Sequence, residues 1–383
     1  MFRASNSDEG FADLLADEAD IVMSLREMRT EERVRAREAG MGDMTGLNRS
    51  RVLSLDAAVP VVSASNPVKQ ISPLMLARAF AGKVTNWQAL GGPDAPIDLH
   101  LPDDSSGLAQ AISDQVMRPA TLTFTDTITR HARPADLAEA VAKDSFALGI
   151  TSYAEQRDTE VLTLSGSCGF ALDASRRTIK TEDYPLTAPM FLYFPARRLP
   201  QVAREFLAFT RSPAAQIVIR RAGFVDQAPE EIPIEEQGNR FTNAIAVAGP
   251  EITLDELQRM NATLKPMARL STSFRFEAGS VRLDAQSRSN VQQLARALEV
   301  GQYDARRLLF AGFSDGQGAS FANRDIALRR AEAVRQAVIA AAVTANLERV
   351  TLDLDAFGEA MPMACDDTAW GRQANRRVEV WVR

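Results

Sequence analysis

From residue 263 onward the apolar positions follow two alternating periods. Residues 273–276 and 308–313 are short apolar runs that predict strands. Between them, in 287–298, Val291, Leu294, Ala295 and Leu298 share one face at helical spacing. A second helix is predicted over 323–339, where Ile326, Ala327, Ala331, Val334 and Val338 form the apolar stripe. Val350, Leu352, Leu354 and Ala356 alternate with polar residues, as do Val378, Val380 and Val382, which predicts two half-buried strands. The order β-α-β-α-β-β predicts an α+β domain with both helices on a single face of one sheet.

The pattern before residue 229 is more mixed. Helical spacing appears in 11–19 and in 73–80, where Leu74, Leu76 and Ala77 alternate with polar or small positions. Apolar runs at 52–55, 59–62 and 191–194 predict buried strands, and Gly91-Gly92-Pro93-Asp94 predicts a turn. Residues 202–210 and 213–222 read as a closing helix pair. The composition shifts after Ala228. Residues 229–238 hold two prolines and four glutamates and read as an extended, self-repelling linker, followed by a short helix over 251–262. Three parts are therefore expected: an α/β domain over 1–228, a Pro/Glu-rich linker and helix over 229–262, and the α+β domain over 263–383.

Composition narrows the function classes. The 383 residues are 45% hydrophobic and 25% charged, the balance of a globular chain, and the formal net charge of −6 argues against a nucleic-acid partner. No apolar stretch reaches the ~20 residues a membrane helix requires. Two histidines, His100 and His131, and two cysteines form no metal-ligand spacing, and no cofactor is implied. Cys168 and Cys365 fall in different expected domains. The strict geometry of a disulfide makes two buried, inert thiols the expectation and a bridge the alternative. Residues 1–20 have neither a basic start nor an apolar core, so they are no signal peptide, which taken literally implies a cytoplasmic protein.

The loop Gly312-Phe313-Ser314-Asp315-Gly316-Gln317-Gly318 carries the first candidate chemistry. It places Asp315 at the tip of a strand end, while Asn323 and Arg330 lie two turns apart on nearly one face of the next helix. A carboxylate facing a guanidinium across a cleft suits a zwitterionic amino acid centre, with Asp315 taking the ammonium and Arg330 the carboxylate. The alternative is a turn-capping Asp and a solvated Arg.

These residues, with 326–331 (IALRRA), resemble the signature of OmpA-like domains, G-x-[ST]-D followed by G, N and L-S-x-x-R-A. Gly358-Glu359-Ala360-Met361-Pro362, then Gly371-Arg372 and Asn375-Arg376-Arg377-Val378-Glu379, is similar to that family's G-E-x-x-P and G-R-x-x-N-R-R-V-E. The resemblance covers roughly residues 270–383. It implies that Asp315 and Arg330 bind the diaminopimelate of peptidoglycan stem peptides, with Asn323, Asn375 and Arg376 supporting the pocket. Ala327 and Phe313 depart from the family's usual Ser and His.

Farther upstream, Asp103-Asp104-Ser105-Ser106-Gly107 runs into a helical stretch, and its free N–H groups and hydroxyls could hold an anion. A plain N-cap is the alternative. His100, Asp103, Asp104 and Ser106 lie close together in sequence but show no nucleophile, base and orienter, so no catalytic residue is expected. Asn66-Pro67-Val68, Phe80-Ala81-Gly82-Lys83-Val84-Thr85-Asn86-Trp87 and Leu90-Gly91-Gly92-Pro93-Asp94 resemble a stretch of phosphate-type periplasmic solute-binding proteins, as does the region around Ala19-Asp20-Ile21. That resemblance spans about residues 10–225. It implies a two-lobed, type II periplasmic binding protein-like α/β fold with a solute site drawing on Ser24, Arg26, Ser105, Ser106 and Gly107. Leu108 and Pro102 stand where the family usually has Thr and Arg, so two ligands are missing. The family's first strand and ligand loop are also missing, and their loss upstream of Met1 together with a signal peptide is the expectation.

The two resemblances imply a non-enzymatic protein of the periplasm, associated with peptidoglycan and the outer membrane, whose first domain captures a small solute, with an oxyanion such as phosphate as candidate. The alternative is a wall-anchored interaction scaffold whose solute-binding fold takes no small ligand.

Overall fold

A computed structural model describes residue 3 and residues 5–46, 48–276 and 280–383. The contacts divide the chain into two units. The first is Met1–Ser165, Ala171–Ile179 and Leu186–Ala228; the second is Gly166–Phe170, Lys180–Pro185 and Pro229–Arg383.

In chain order the first unit contains α1 (Ser7–Leu15), β1 (Val22–Ser24), α2 (Thr30–Glu38), β2 (Ser50–Val62), β3 (Gln70–Ile71), α3 (Pro73–Phe80), β4 (Asp98–Pro102), α4 (Gly107–Ile112), β5 (Thr129–His131), α5 (Pro134–Lys143), β6 (Ala147–Ser152), β7 (Glu160–Val161), β8 (Thr163–Ser165) and β9 (Ala171–Leu172). After α6 (Arg176–Lys180) come β10 (Thr187–Tyr193), α7 (Gln201–Phe209) and α8 (Pro213–Arg221). The main sheet runs β1-β10-β2-β6-β4-β5, with β7 on β2, and a small sheet runs β3-β8-β9. The two apolar runs at 52–55 and 59–62 prove to be one strand, β2, because Asp56 between them is buried and accepts hydrogen bonds from Ser152 Oγ and the Ala57 N–H. Leu137 and Val141 of α5 press onto β6 at Gly149, where a Cβ would stand 2.9 Å from each side chain.

The second unit is built from β11 (Glu231–Ile232), α9 (Gly238–Ala246), α10 (Leu254–Leu264), β12 (Ala268–Arg275), α11 (Ala285–Glu299), β13 (Arg307–Phe313), α12 (Ser320–Ala341), β14 (Thr351–Gly358), α13 (Ala369–Asn375) and β15 (Arg377–Val382). Its sheet order is β11-β12-β15-β13-β14, with β13 and β14 parallel. Helices α11 and α12 share one core with Phe274, Leu308, Phe310, Val378 and Val380, all on one sheet face, as the apolar stripes predict.

The other face differs from the sequence reading. Strict alternation left it polar and half-buried, yet Arg269, Arg275, Arg377 and Glu379 are all buried there. Arg269 pairs with Asp183 at 2.6 Å, and Glu379 receives Arg377 at 2.7 Å together with a bond from Arg240. Buried charges persist when they are paired and hydrogen-bonded, and the segment 180–185 supplies the missing partners. The Pro/Glu stretch is likewise no free linker. Glu231 and Ile232 pair with β12, and Ala244 of α9 with Met260 and Leu264 of α10 fill a second core against Leu309, Phe313 and Trp381.

Cys168 and Cys365 are joined in a disulfide, against the expectation of two inert thiols. The reason is tertiary: residues 166–170 pack within the second unit, so the two cysteines do not lie in separate units. Their Cα atoms stand 5.6 Å apart, within the range that a bridge allows.

Candidate functional site

Strand β13 ends at Phe313, and the Ser314 N–H donates to the Gly358 carbonyl at 2.8 Å, fixing where the loop leaves the sheet. Gly318 takes a left-handed φ of 95°, which glycine adopts without strain, and α12 follows. This loop presents Asp315 beside the end of α13. Arg376 Nη1 lies 2.6 Å from Asp315 Oδ2, so the carboxylate already has a cation.

Arg330 is in the opposite condition. It is 4% exposed, stacks 5.2 Å above the Phe276 ring, and makes one long contact of 3.5 Å to the Ser280 carbonyl. Its Nε is buried with no hydrogen-bond partner among the described residues. Burial lowers its pKa first, and repulsion from Arg376 adds to this, with Asp315 offsetting only part. Asp315, Arg330 and Arg376 together carry a net charge of one positive unit. A buried guanidinium of this kind favours a carboxylate that can supply both charge and paired acceptors.

The supporting residues divide. Asn323 donates to Glu359 Oε2 at 2.6 Å and stays at the site's edge. Asn375 is fully occupied by its own chain: its Oδ1 accepts from the N–H groups of Met363 (2.6 Å) and Ala364 (3.0 Å), and its Nδ2 donates to the Ala364 carbonyl (2.8 Å) and Asp366 (2.7 Å). It therefore shapes the pocket without a free group to offer a ligand.

Two carboxylates assigned no role from sequence also belong here. Asp366 Oδ2 accepts the Gly316 N–H at 2.6 Å, and Glu359 and Asp366 both border a cavity of about 270 Å³ shared with Gly316, Ile252 and the disulfide. Burial raises the pKa of each carboxyl first. Nearby acids add to this: Glu251 and Asp366 for Glu359, Asp315 for Asp366. Glu359 stands in the G-E-x-x-P motif and could have been found there; Asp366 lies in a stretch with no pattern.

In the first unit the two sequence-predicted segments lie side by side, joined through Leu25 and Gln110. Ser24 is the last residue of β1, and a Cβ at Gly107 would come 3.2 Å from the Leu25 side chain, so the 103–107 loop abuts the 24–26 segment. Ser106 caps α4 through the Ala109 N–H at 3.0 Å, while Ser105 is exposed. Ser24 Oγ donates to the Arg26 carbonyl at 2.9 Å. Arg26 itself is buried and saturated: Glu32 takes Nη1 and Nη2 at 2.8 and 2.7 Å, Asp8 takes Nη2 at 2.5 Å, and Gln110 takes Nε at 2.6 Å. Burial would lower its pKa, but Glu32 and Asp8 hold it above the usual arginine value. His100 Nδ1 lies 2.9 Å from His131 Nε2, and Ser106 is engaged as a cap, so these residues form no nucleophile–base pair with each other.

A family model described as a PBP superfamily domain matches residues 1–214. The chain belongs to the PBP superfamily. A second model, the OmpA family, matches residues 275–376, so this PBP-superfamily chain continues into an OmpA-like domain. Its relatives include the phosphate-binding protein PstS of Staphylococcus haemolyticus, 23% identical over 259 residues that make up 65% of this chain and 72% of that protein. An ABC-type phosphate transport receptor from Vibrio cholerae has a similar structure, with a TM-score of 0.47 and 21% identity over 57% of this chain and 84% of that one. The peptidoglycan-associated lipoprotein from Burkholderia pseudomallei aligns with 29% of this chain and 90% of its own, at 25% identity and a TM-score of 0.26.

The fold is thus a two-lobed α/β domain followed by an α+β domain, both from families of solute-binding or structural modules rather than enzymes. These assignments place the PBP-superfamily chain in the periplasm and cell envelope, with general roles in binding solutes and envelope components. No helix of the described residues is long and apolar enough to cross a membrane.

Proposed function

We propose that the OmpA-like domain holds the chain to peptidoglycan by receiving a carboxylate of the diaminopimelate centre on Arg330. The observation that carries this reading is the buried Arg330 guanidinium, which has no ion pair among the described residues, beside the Asp315–Arg376 pair. An incoming carboxylate neutralises Arg330, and the ligand's ammonium is placed toward Asp315, whose charge Arg376 only shares. The test is sedimentation of the full chain with purified peptidoglycan, with free diaminopimelate as competitor. Wild type pellets and is released by the competitor, whereas Arg330→Ala and Asp315→Ala stay in solution. Folded wild type remaining in the supernatant rejects the proposal.

For the PBP-superfamily domain, the phosphate-binding relatives favour an oxyanion, but the saturation of Arg26 by Asp8, Glu32 and Gln110 favours the scaffold reading. An oxyanion would have to displace two carboxylates from the guanidinium that should bind it. In this reading the domain offers a surface to a protein partner and leaves phosphate unbound. Equilibrium dialysis with phosphate and sulfate decides: retention of either anion restores the solute-binding reading.

A further inference from the structure

Residues 359–368, between β14 and α13, form no helix or strand, yet they carry the carboxylate that braces the ligand loop. Among the contacts that hold this stretch, three sets act around Cys365 and Asp366. Asn375 ties down Met363, Ala364 and Asp366 from inside. Arg372 Nη1 donates to the Asp366 carbonyl at 2.8 Å. The third set is the disulfide: Cys365 is bonded to Cys168, the Cys168 N–H donates to Cys365 Sγ at 3.1 Å, and Ser167 Oγ binds the Asp367 carboxylate. Gly166 lies so close that a Cβ there would overlap the Cys365 sulfur.

The next bond leads directly to the site. Asp366 follows Cys365 and accepts the Gly316 N–H at 2.6 Å, and Gly316 follows Asp315. Each step is one covalent neighbour or one short hydrogen bond. Cys168 is exposed while Cys365 is buried, so the bridge can be reached by a reductant from one side.

We infer that the Cys168–Cys365 disulfide and Asp366 together position the Asp315 loop, so that the grip on the wall depends on the redox state of this pair. The inference rests on the peptidoglycan reading above. Reduction by an added dithiol transfers two electrons and two protons to the bridge, leaves two thiols and converts the dithiol to its own disulfide. Cys365 and Asp366 then lose one of their three anchors, the Gly316 N–H loses a fixed acceptor, and Asp315 is no longer held beside Arg376. Asp366 is a positioning residue in this scheme and touches no ligand.

The experiment measures peptidoglycan affinity of the full chain as oxidised wild type, reduced wild type, the Cys168→Ser/Cys365→Ser double variant, Asp366→Ala, and the combination of all three substitutions. Reduction, the double cysteine variant and Asp366→Ala should each weaken binding roughly tenfold, the scale of one lost hydrogen bond to a charged group. The combined variant should be no weaker than either alone, because both changes break one linkage. A merely structural loss would instead add. Full affinity in reduced wild type, or in Asp366→Ala with its disulfide intact, overturns the inference while leaving the peptidoglycan reading standing. Additive losses overturn it too. If oxidised wild type does not bind at all, the peptidoglycan reading fails and this inference falls with it.

Discussion

Arg376 Nη1 lies 2.6 Å from Asp315 Oδ2, whereas no hydrogen bond joins Asp315 to Arg330 among the described residues. The motif pair is therefore not a salt bridge. A third residue neutralises the acid, and Arg330 has no ion pair among the described residues, an arrangement compatible with an external carboxylate.

Because Arg330 is buried and has no ion pair among the described residues, it works against the fold that carries it. Arg330→Met should abolish wall binding while leaving stability unchanged or raised by up to about 2 kcal/mol. Sedimentation with peptidoglycan and thermal unfolding of the same preparation check both halves. A large drop in Tm would mean that the arginine is a structural member of the core.

Gly312 opens the OmpA-like motif for a steric reason rather than a chemical one. It lies where β13 meets α12, and a Cβ there would overlap the Ala327 carbonyl. Gly312→Ala should destabilise the domain by about 1–3 kcal/mol, the usual range for overpacking, and push α12 with Arg330 outward. Urea unfolding measures the loss, and a weaker wall affinity should accompany it.

Stability should fall as pH rises from about 4.5 to about 8. Burial, then Asp284, with a smaller contribution from Asp183, pushes the Glu182 carboxyl up to about 8 from its ordinary 4.5, and Arg275 and Asn290 offset only part. The folded state thus holds a proton that the unfolded state releases, so stability is full below the unfolded pKa and is lost as pH rises toward the folded one. Urea midpoints at about pH 5 and about pH 8 should differ for wild type and differ less for Glu182→Gln. Equal slopes would show that Glu182 does not titrate in this window.

In the PBP-superfamily domain the acids around Arg26 can be removed without touching the arginine. Asp8→Asn with Glu32→Gln leaves hydrogen-bond acceptors but removes both negative charges. If those charges are what exclude an oxyanion, phosphate uptake in equilibrium dialysis should rise from undetectable in wild type to measurable in the double variant. No change would place the obstacle elsewhere, at Pro102 and Leu108, where the family's ligands are absent.

Much of the OmpA-like domain was legible because its signals are local. The stripe of Val291, Leu294 and Leu298 and the alternation of Val378, Val380 and Val382 each state which face is buried. The motif spacing put Asp315 on the loop after β13 and Arg330 within the following helix, α12. The linker reading failed at Glu231 and Ile232 for a different reason: proline and glutamate content describes a segment alone in water, and here β12 supplies a partner.

The sequence by itself determined the order of elements, the core stripes of α11 and α12 and the two families, since these depend on periodicity and fixed motif spacing. Only the tertiary structure decided how the charges are shared. Asp315 pairs with Arg376 and makes no hydrogen bond to Arg330 among the described residues, Arg26 is closed by Asp8 and Glu32, and Cys168 reaches Cys365 across 197 residues. Ion pairing and disulfide formation depend on distances between segments far apart in the chain, and those distances exist only once the chain has folded.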